Sequence, residues 1–265
     1  MRSWISRYDR GMPRHRTLLI LSFAAALSLA PLAAAFAQAP PPPPPPKQEG
    51  TAELAFVGTT GNSKEQTLSA GAEYIARPTN WLFRNRFNVV RGETDSVLST
   101  ESWLYGFRSE RTLTARASLF GEYVYFRDTF AGIDPRNSVI GGLMLTLIKA
   151  DKQTLSADAG LGYLNEQRLA GEDVSSGTYS GGAAYKLKFS DTAELTDELR
   201  LLGAFYLADD WRLSNTVAVT AKLASKFSLK FSSTVRHMNF PPPGYHSTDT
   251  TTSIAFVAAF KSKVK

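Results

Sequence analysis

The chain has 265 residues, with 30 lysines and arginines against 24 aspartates and glutamates, three histidines and no cysteine. Lack of cysteine rules out disulfides, thiolate metal sites, a lipidated N-terminal cysteine and cysteine nucleophiles together. The formal charge of +6 belongs mostly to the first 37 residues, which hold five arginines and one aspartate; beyond them the balance is +2, with both signs mixed along the chain, which argues against nucleic-acid binding.

Arg14, His15 and Arg16 precede an almost wholly apolar run from Thr17 to Ala35, and the small residues Ala35 and Ala37 flank Phe36. This is the form of a secretory signal peptide cleaved after Ala37. A transmembrane anchor is the rival reading, but Pro31 interrupts a run already short of the ~20 residues a spanning helix needs. Next come seven consecutive prolines, Pro40 to Pro46, which favour extended polyproline II and donate no backbone hydrogen bond. The expected organisation is a signal peptide over 1–37, a Pro-rich linker over 38–50 and one folded body over 51–265.

Period-two alternation predicts twelve strands in that body: Ala52–Thr60, Gln66–Arg77, Trp81–Gly92, Thr100–Ser109, Ala115–Arg127, Asn137–Ile148, Thr154–Gln167, Thr178–Phe189, Ala193–Leu207, Trp211–Lys222, Phe227–Met238 and Thr248–Lys261. Leu68, Ala70, Ala72 and Tyr74 oppose Thr67, Ser69, Gly71 and Glu73. Trp81, Phe83, Phe87 and Val89 oppose Arg84, Arg86 and Asn88 in the same way. The strand around Ile140 is apolar on both faces and is the least regular. No ten-residue stretch carries a helical stripe. Short turns at Pro78–Asn80, Glu110–Thr114, Lys149–Lys152, Ser190–Thr192 and Leu223–Lys226 alternate with longer connections such as Asp128–Arg136, Arg168–Gly177 and Asn239–His246. Turns at one end and loops at the other make an up-and-down meander, and an even strand count lets the sheet close without a free edge.

Periodicity does not say whether the apolar face points in or out. Pointing in, it would line a lumen too wide to fill, because side chains just fill a barrel of about eight strands. Pointing out, it meets lipid, and the lumen can hold water and paired charges. Trp81, Trp103, Trp211, Tyr123 and Tyr125 lie toward ends of apolar faces, where interfacial girdles form. The expected fold is therefore all-β, a membrane-spanning antiparallel up-and-down barrel of about twelve strands; a soluble exported sandwich or ligand-binding barrel is the alternative.

Gly61-Asn62-Ser63, then Phe126-Arg127-Asp128 with Phe130-Ala131-Gly132-Ile133-Asp134 and Arg136, then Gly160-Leu161-Gly162-Tyr163 occur in that order over Thr51 to Phe260. In these motifs the chain resembles the salt-induced outer-membrane protein (YdiY-like) family. The resemblance implies an outer-membrane barrel of structural or salt- and osmotic-stress-linked role in the envelope, with outer-membrane lipid, lipopolysaccharide and the barrel assembly machinery as partners. Barrels of this kind commonly finish on an aromatic residue, and the tail Lys261-Ser262-Lys263-Val264-Lys265 beyond Phe260 departs from that pattern.

Chemistry is sparse. His237 and His246 are the histidines left after signal removal, and with Asp249 as a third ligand their spacing matches no familiar zinc motif, so solvated loop histidines are expected. A lipid-modifying barrel enzyme is the third reading, and it is disfavoured: Ser233 and His237 share a face but stand more than ~10 Å apart at ~3.3 Å per residue, which excludes a direct dyad. Neither enzymatic activity, nor a cofactor, nor a metal is expected. The inner face should carry Glu73, Arg84, Arg86, Arg108, Glu122, Asp158, Glu194, Glu198, Arg200, Arg212, Lys230 and Arg236. Such charges suit either a passive, porin-like diffusion channel or a lumen braced by salt bridges. Arg84 and Arg86 have one acid, Glu73, on the adjoining strand, so one guanidinium is expected to face water. Acids near loop ends, at Glu93, Asp95, Asp128, Asp134, Asp209 and Asp210, are candidates for cation bridges to lipopolysaccharide.

Overall fold

The computed structural model describes residues 46–59 and 65–262. The signal peptide, nearly all of the proline run, the Gly61-Asn62-Ser63 motif and the last three residues lie outside the described residues. The strands are β1 (Gln48–Thr59), β2 (Glu65–Ala76), β3 (Trp81–Thr94), β4 (Val97–Thr112), β5 (Ala117–Asp128), β6 (Ile133–Lys149), β7 (Gln153–Arg168), β8 (Val174–Lys188), β9 (Ala193–Ala204), β10 (Trp211–Lys222), β11 (Phe227–Met238) and β12 (Thr248–Lys261). Each pairs antiparallel with its neighbours in sequence, and β1 pairs with β12, closing the barrel.

Closure leaves every strand with two hydrogen-bonded partners, which a membrane-spanning sheet requires. The apolar face of each strand is the outer one: Phe56, Val139, Leu161 and Ile254 are all more than half exposed, Leu161 to 65%. The inner positions carry the polar set, with Arg108 at 4% and Glu166 at 0% exposure. Trp81 stacks on Phe83 at 5.8 Å near the turn end, under the guanidinium of Arg111. Trp211 packs on His237 at 5.1 Å near the loop end, so rings stand at both rims of the apolar band.

The doubly apolar strand near Ile140 is explained by glycine. Inward positions of β7 include Gly160 and Gly162; a Cβ on Gly160 would lie 2.8 Å from Ile140 Cγ2 and 3.1 Å from Phe120 Cζ, and one on Gly162 would lie 2.0 Å from the Val139 carbonyl oxygen. The missing side chains let Phe120 and Ile140 lie inside the wall, so β6 is apolar inward as well as outward.

Several boundaries differ from the sequence expectation; β8, for example, begins at Val174 and β9 ends at Ala204. The first strand starts at Gln48, which pairs with Ala76, so Gln48–Gly50 belong to the barrel and not to the linker. β3 and β4 run on past Gly92 and Thr100 and meet at a tight turn, Asp95 and Ser96, both at positive φ (50° and 66°). The connection after β5 is short, because β6 begins at Ile133; Asp128 caps a single 3-10 turn, Thr129–Ala131, by accepting from the Ala131 N–H at 3.0 Å.

The two faces predict opposite outcomes for the same side chain. Val219 faces out on β10, and Thr216 faces in, hydrogen-bonded to Thr234 at 3.0 Å and paired with Glu198 on β9. Val219→Arg should cost about 2–4 kcal/mol and abolish the folded, heat-modifiable band in membrane fractions, whereas Thr216→Arg should fold.

Candidate functional site: the braced lumen

All twelve inner-face candidates, Glu73, Arg84, Arg86, Arg108, Glu122, Asp158, Glu194, Glu198, Arg200, Arg212, Lys230 and Arg236, occupy inward register positions, and most are joined to one another. The hub of the central network is Arg108 on β4. Its Nε donates to Glu110 at 2.7 Å, Nη1 to Glu122 at 2.9 Å and Nη2 to Asp158 at 3.5 Å, while the guanidinium lies 3.9 Å from the centre of the Phe120 ring. Arg200 on β9 reaches the same Asp158 at 3.2 Å and Glu122 at 3.7 Å.

The expectation that one of Arg84 and Arg86 faces water is corrected. Arg86 crosses the lumen and donates from both terminal nitrogens to Glu198, each at 3.2 Å, while its Nε stays 3.5 Å from Glu73. Arg84 approaches Glu73 at 3.8 Å, and its Nε is buried without a hydrogen-bond acceptor. β3 and β9 stand opposite each other in the twelve-strand ring, so the Arg86–Glu198 pair is a strut across the barrel. A second brace nearer the turn end joins Lys230 to Glu53 at 2.8 Å.

A separate cluster lies toward the loop end. Glu166 on β7 accepts from Arg168 at 2.7 Å, from Arg212 at 3.2 Å and from Arg136. Asp210 meets Arg212 at 3.0 Å and accepts from the Tyr206 hydroxyl at 3.0 Å. Partial desolvation, then this hydrogen bond, hold the Tyr206 phenol above its usual range. Three guanidinium groups face two carboxylates here, while in the central network four (Arg84, Arg86, Arg108, Arg200) face five (Glu73, Glu110, Glu122, Asp158, Glu198). The two excesses are of opposite sign, so no strong anion or cation preference results.

The connections fold over this cluster. A Cβ on Gly132 would lie 2.8 Å from the Tyr245 ring, and one on Gly171 2.9 Å from Pro243 Cδ; both glycines have positive φ. Pro242 is fully buried, and the Arg168 guanidinium faces the Phe240 ring at 5.8 Å. The β11–β12 connection thus lies on the β5–β6 and β7–β8 connections.

Glu53, Glu110, Arg136, Glu166, Arg168 and Asp210 were not among the residues expected in the lumen. Glu166 shares the inward phase of Asp158, so alternation alone points to it. Asp210 was expected at a solvated loop end, and it is instead completely buried. Three other loop-end acids are also engaged: Asp134 with Arg127 at 2.5 Å, Glu93 with Arg91 at 3.4 Å, and Asp128 as a cap. His237 lies on the outer wall with Nδ1 2.8 Å from Thr248 Oγ1, and among the described residues no cluster of three metal-ligating side chains occurs.

A closed twelve-stranded sheet, apolar outside and cross-braced by charge inside, defines a β-barrel of the outer-membrane type. The chain belongs to the family described as protein of unknown function, DUF481, whose model matches residues 52–260. It is 24% identical over 216 residues to the uncharacterized protein YdiY of Escherichia coli (strain K12), covering 78% of this chain and 82% of that one. Among solved structures it is similar to the COG4313 outer membrane channel of Pseudomonas putida F1 (9% identity, 84% of this chain and 99% of that one, TM-score 0.48). It is also similar to the NanC porin (8% identity, 82% and 100%, TM-score 0.45).

Removing one partner from a buried charge cluster leaves the others unpaired, at a cost of about 3–5 kcal/mol. Glu166→Gln should lower the unfolding free energy of barrels folded in lipid vesicles, measured by urea titration, by an amount of that order. Glu53→Gln, whose pair with Lys230 is about a quarter exposed on each side, should cost under about 1 kcal/mol.

Proposed function

We propose that the protein resides in the bacterial outer membrane as a braced, non-conducting barrel with a structural, salt-stress-linked role in the envelope. The turn end, which carries both strand termini of the barrel, faces the periplasm, and the loop end faces outward. The observation that carries this reading is the Arg86–Glu198 strut between opposite strands, backed by Arg108 and Arg200 converging on Asp158. Arg108 and Asp158 are 5% and 10% exposed, and salt screens such charges far less than those on an exposed surface; Arg86 and Glu198 are partly hydrated, at 40% and 30%. A barrel braced in this way keeps its cross-section when external ionic strength rises.

Passive diffusion is the rival reading, and it has one observation in its favour: beside the strut, β10 to β12 present small hydroxyl side chains inward, among them Thr216, Ser232, Thr234 and Ser253. Purified, folded protein in planar bilayers decides between them. The braced reading expects no resolvable single-channel conductance at 0.1 M or at 1 M KCl, with steps appearing when Arg86→Ser and Glu198→Ser are combined. A conducting wild type would replace it with the channel reading.

A further inference from the structure

A cavity of about 180 Å³ opens toward the loop end, on the side of the barrel away from the Glu166 cluster. Its polar lining includes Asp128 at the end of β5, Arg236 on β11, Asp249 and Thr251 on β12 and Ser102 on β4, and Phe130 of the 3-10 turn adds one aromatic face. The volume equals that of about six water molecules, enough for a solute of monosaccharide size.

Arg236 is the informative residue. Its guanidinium lies 5.5 Å from the Phe126 ring, whose other contact of this kind is Arg136 from the buried cluster, so Phe126 separates the cluster from the cavity. Among the described residues no hydrogen bond or ion pair engages Arg236; the acids whose charge acts on it are Asp128 and Asp249, one on each neighbouring face of the cavity. Every other guanidinium in the lumen has a carboxylate within 4 Å. The guanidinium of Arg236, with no protein acceptor for its donors, therefore lines a polar, water-accessible space whose rim residues Asp249 and Thr251 are exposed.

The charge pattern selects the chemistry of what fits. A small anion would meet two carboxylates, and a cation would meet the guanidinium between them. A neutral solute with several hydroxyls has neither conflict: vicinal hydroxyls donate to a carboxylate while accepting from a guanidinium, and a C–H face lies against Phe130. We propose that this cavity is a binding site for a neutral polyhydroxylated solute, of the size of a monosaccharide, presented at the loop end of the barrel. Val90 lines the cavity floor, and the strut residue Arg86 lies four residues further toward the turn end of β3, roughly 13 Å at the rise of a strand. The site is thus read without any passage through the lumen, and its failure would leave the braced-barrel reading standing.

The test is saturation-transfer NMR on the full mature chain folded in detergent micelles, with D-glucose as the neutral probe, lactate as the anion and choline as the cation. Glucose should give transfer that saturates with concentration, while lactate and choline give none. Arg236→Met and Asp249→Asn should each weaken glucose about tenfold or more, the loss of a hydrogen bond to a charged group. Thr220→Ser, on the inner wall toward the turn end, should leave it unchanged, and all three variants should keep heat-modifiable migration as proof of folding. Absence of glucose transfer, transfer to lactate or choline in its place, or glucose transfer that persists in both cavity variants would each overturn the proposal.

Discussion

The structure depends on one constraint: a sheet that gives its apolar face to lipid must place most of its charges inside the ring, where burial favours pairing them. An isolated ion in that interior costs several kcal/mol, and the attraction between partners offsets this only when they touch with good geometry. The cross-lumen pairs are the result. Arg86 reaches Glu198 on the opposite strand and Arg108 reaches Asp158 three strands away, so these contacts fix distances that backbone pairing between neighbours leaves free. Buried pairs of this kind are weak evidence of net stability, but they penalise every cross-section in which the partners separate. Specification of shape is the role they support here.

Glycine makes the same constraint workable on β7. Arg108 sits over the Phe120 ring, and that ring needs the space a side chain on Gly160 would take. The inward wall of β5 to β7 therefore has two layers of different chemistry, an apolar patch from Phe120 and Ile140 and a guanidinium laid over it. Phe126 repeats the arrangement nearer the loops, with Arg136 on one side and Arg236 on the other. In each case the guanidinium carbon itself lies over the ring, so these are cation–π contacts that hold the charged head against apolar surface.

The fold was legible because alternation is local. Leu68, Ala70, Ala72 and Tyr74 against Ser69, Gly71 and Glu73 need no knowledge of the neighbouring strand, and the same alternation places the twelve expected charges in the inward phase of their strands. The partners were not legible for the opposite reason. Glu198 lies 112 positions from Arg86, and no spacing in the chain announces that contact, since it follows from ring closure and strand stagger. Asp210 misled in a related way. Beside Asp209 in a polar connection it reads as a solvated loop acid, but its neighbour Arg212 begins the inner face of β10 and holds it in the lumen. The tight turn at Asp95 and Ser96 was missed because neither residue is the glycine or asparagine that usually marks positive φ.

The strut also divides the lumen unequally, and that inequality bears on what the barrel can do. On the β4 to β9 side the space is occupied by Arg108, Arg200 and their carboxylates, most of them nearly inaccessible to water. On the β10 to β3 side small hydroxyl residues such as Thr216, Ser232, Thr234 and Ser253 stand among the charges, and the brace nearest the turn end is Lys230 with Glu53, each about a quarter exposed. Separating the first set strands buried charge, at about 3–5 kcal/mol for each broken partnership, whereas opening a partly hydrated pair costs about 1 kcal/mol or less. Separation is therefore cheapest at the partly hydrated pairs, Lys230 with Glu53 and the Arg86–Glu198 strut, while the Arg108 network resists it. The solvent-facing cavity at the loop end spans the boundary between the two sides, lined by β3, β11 and β12 on one and by β4 and the turn after β5 on the other, so a solute held there would join the more yielding wall to the wall that the Arg108 network holds.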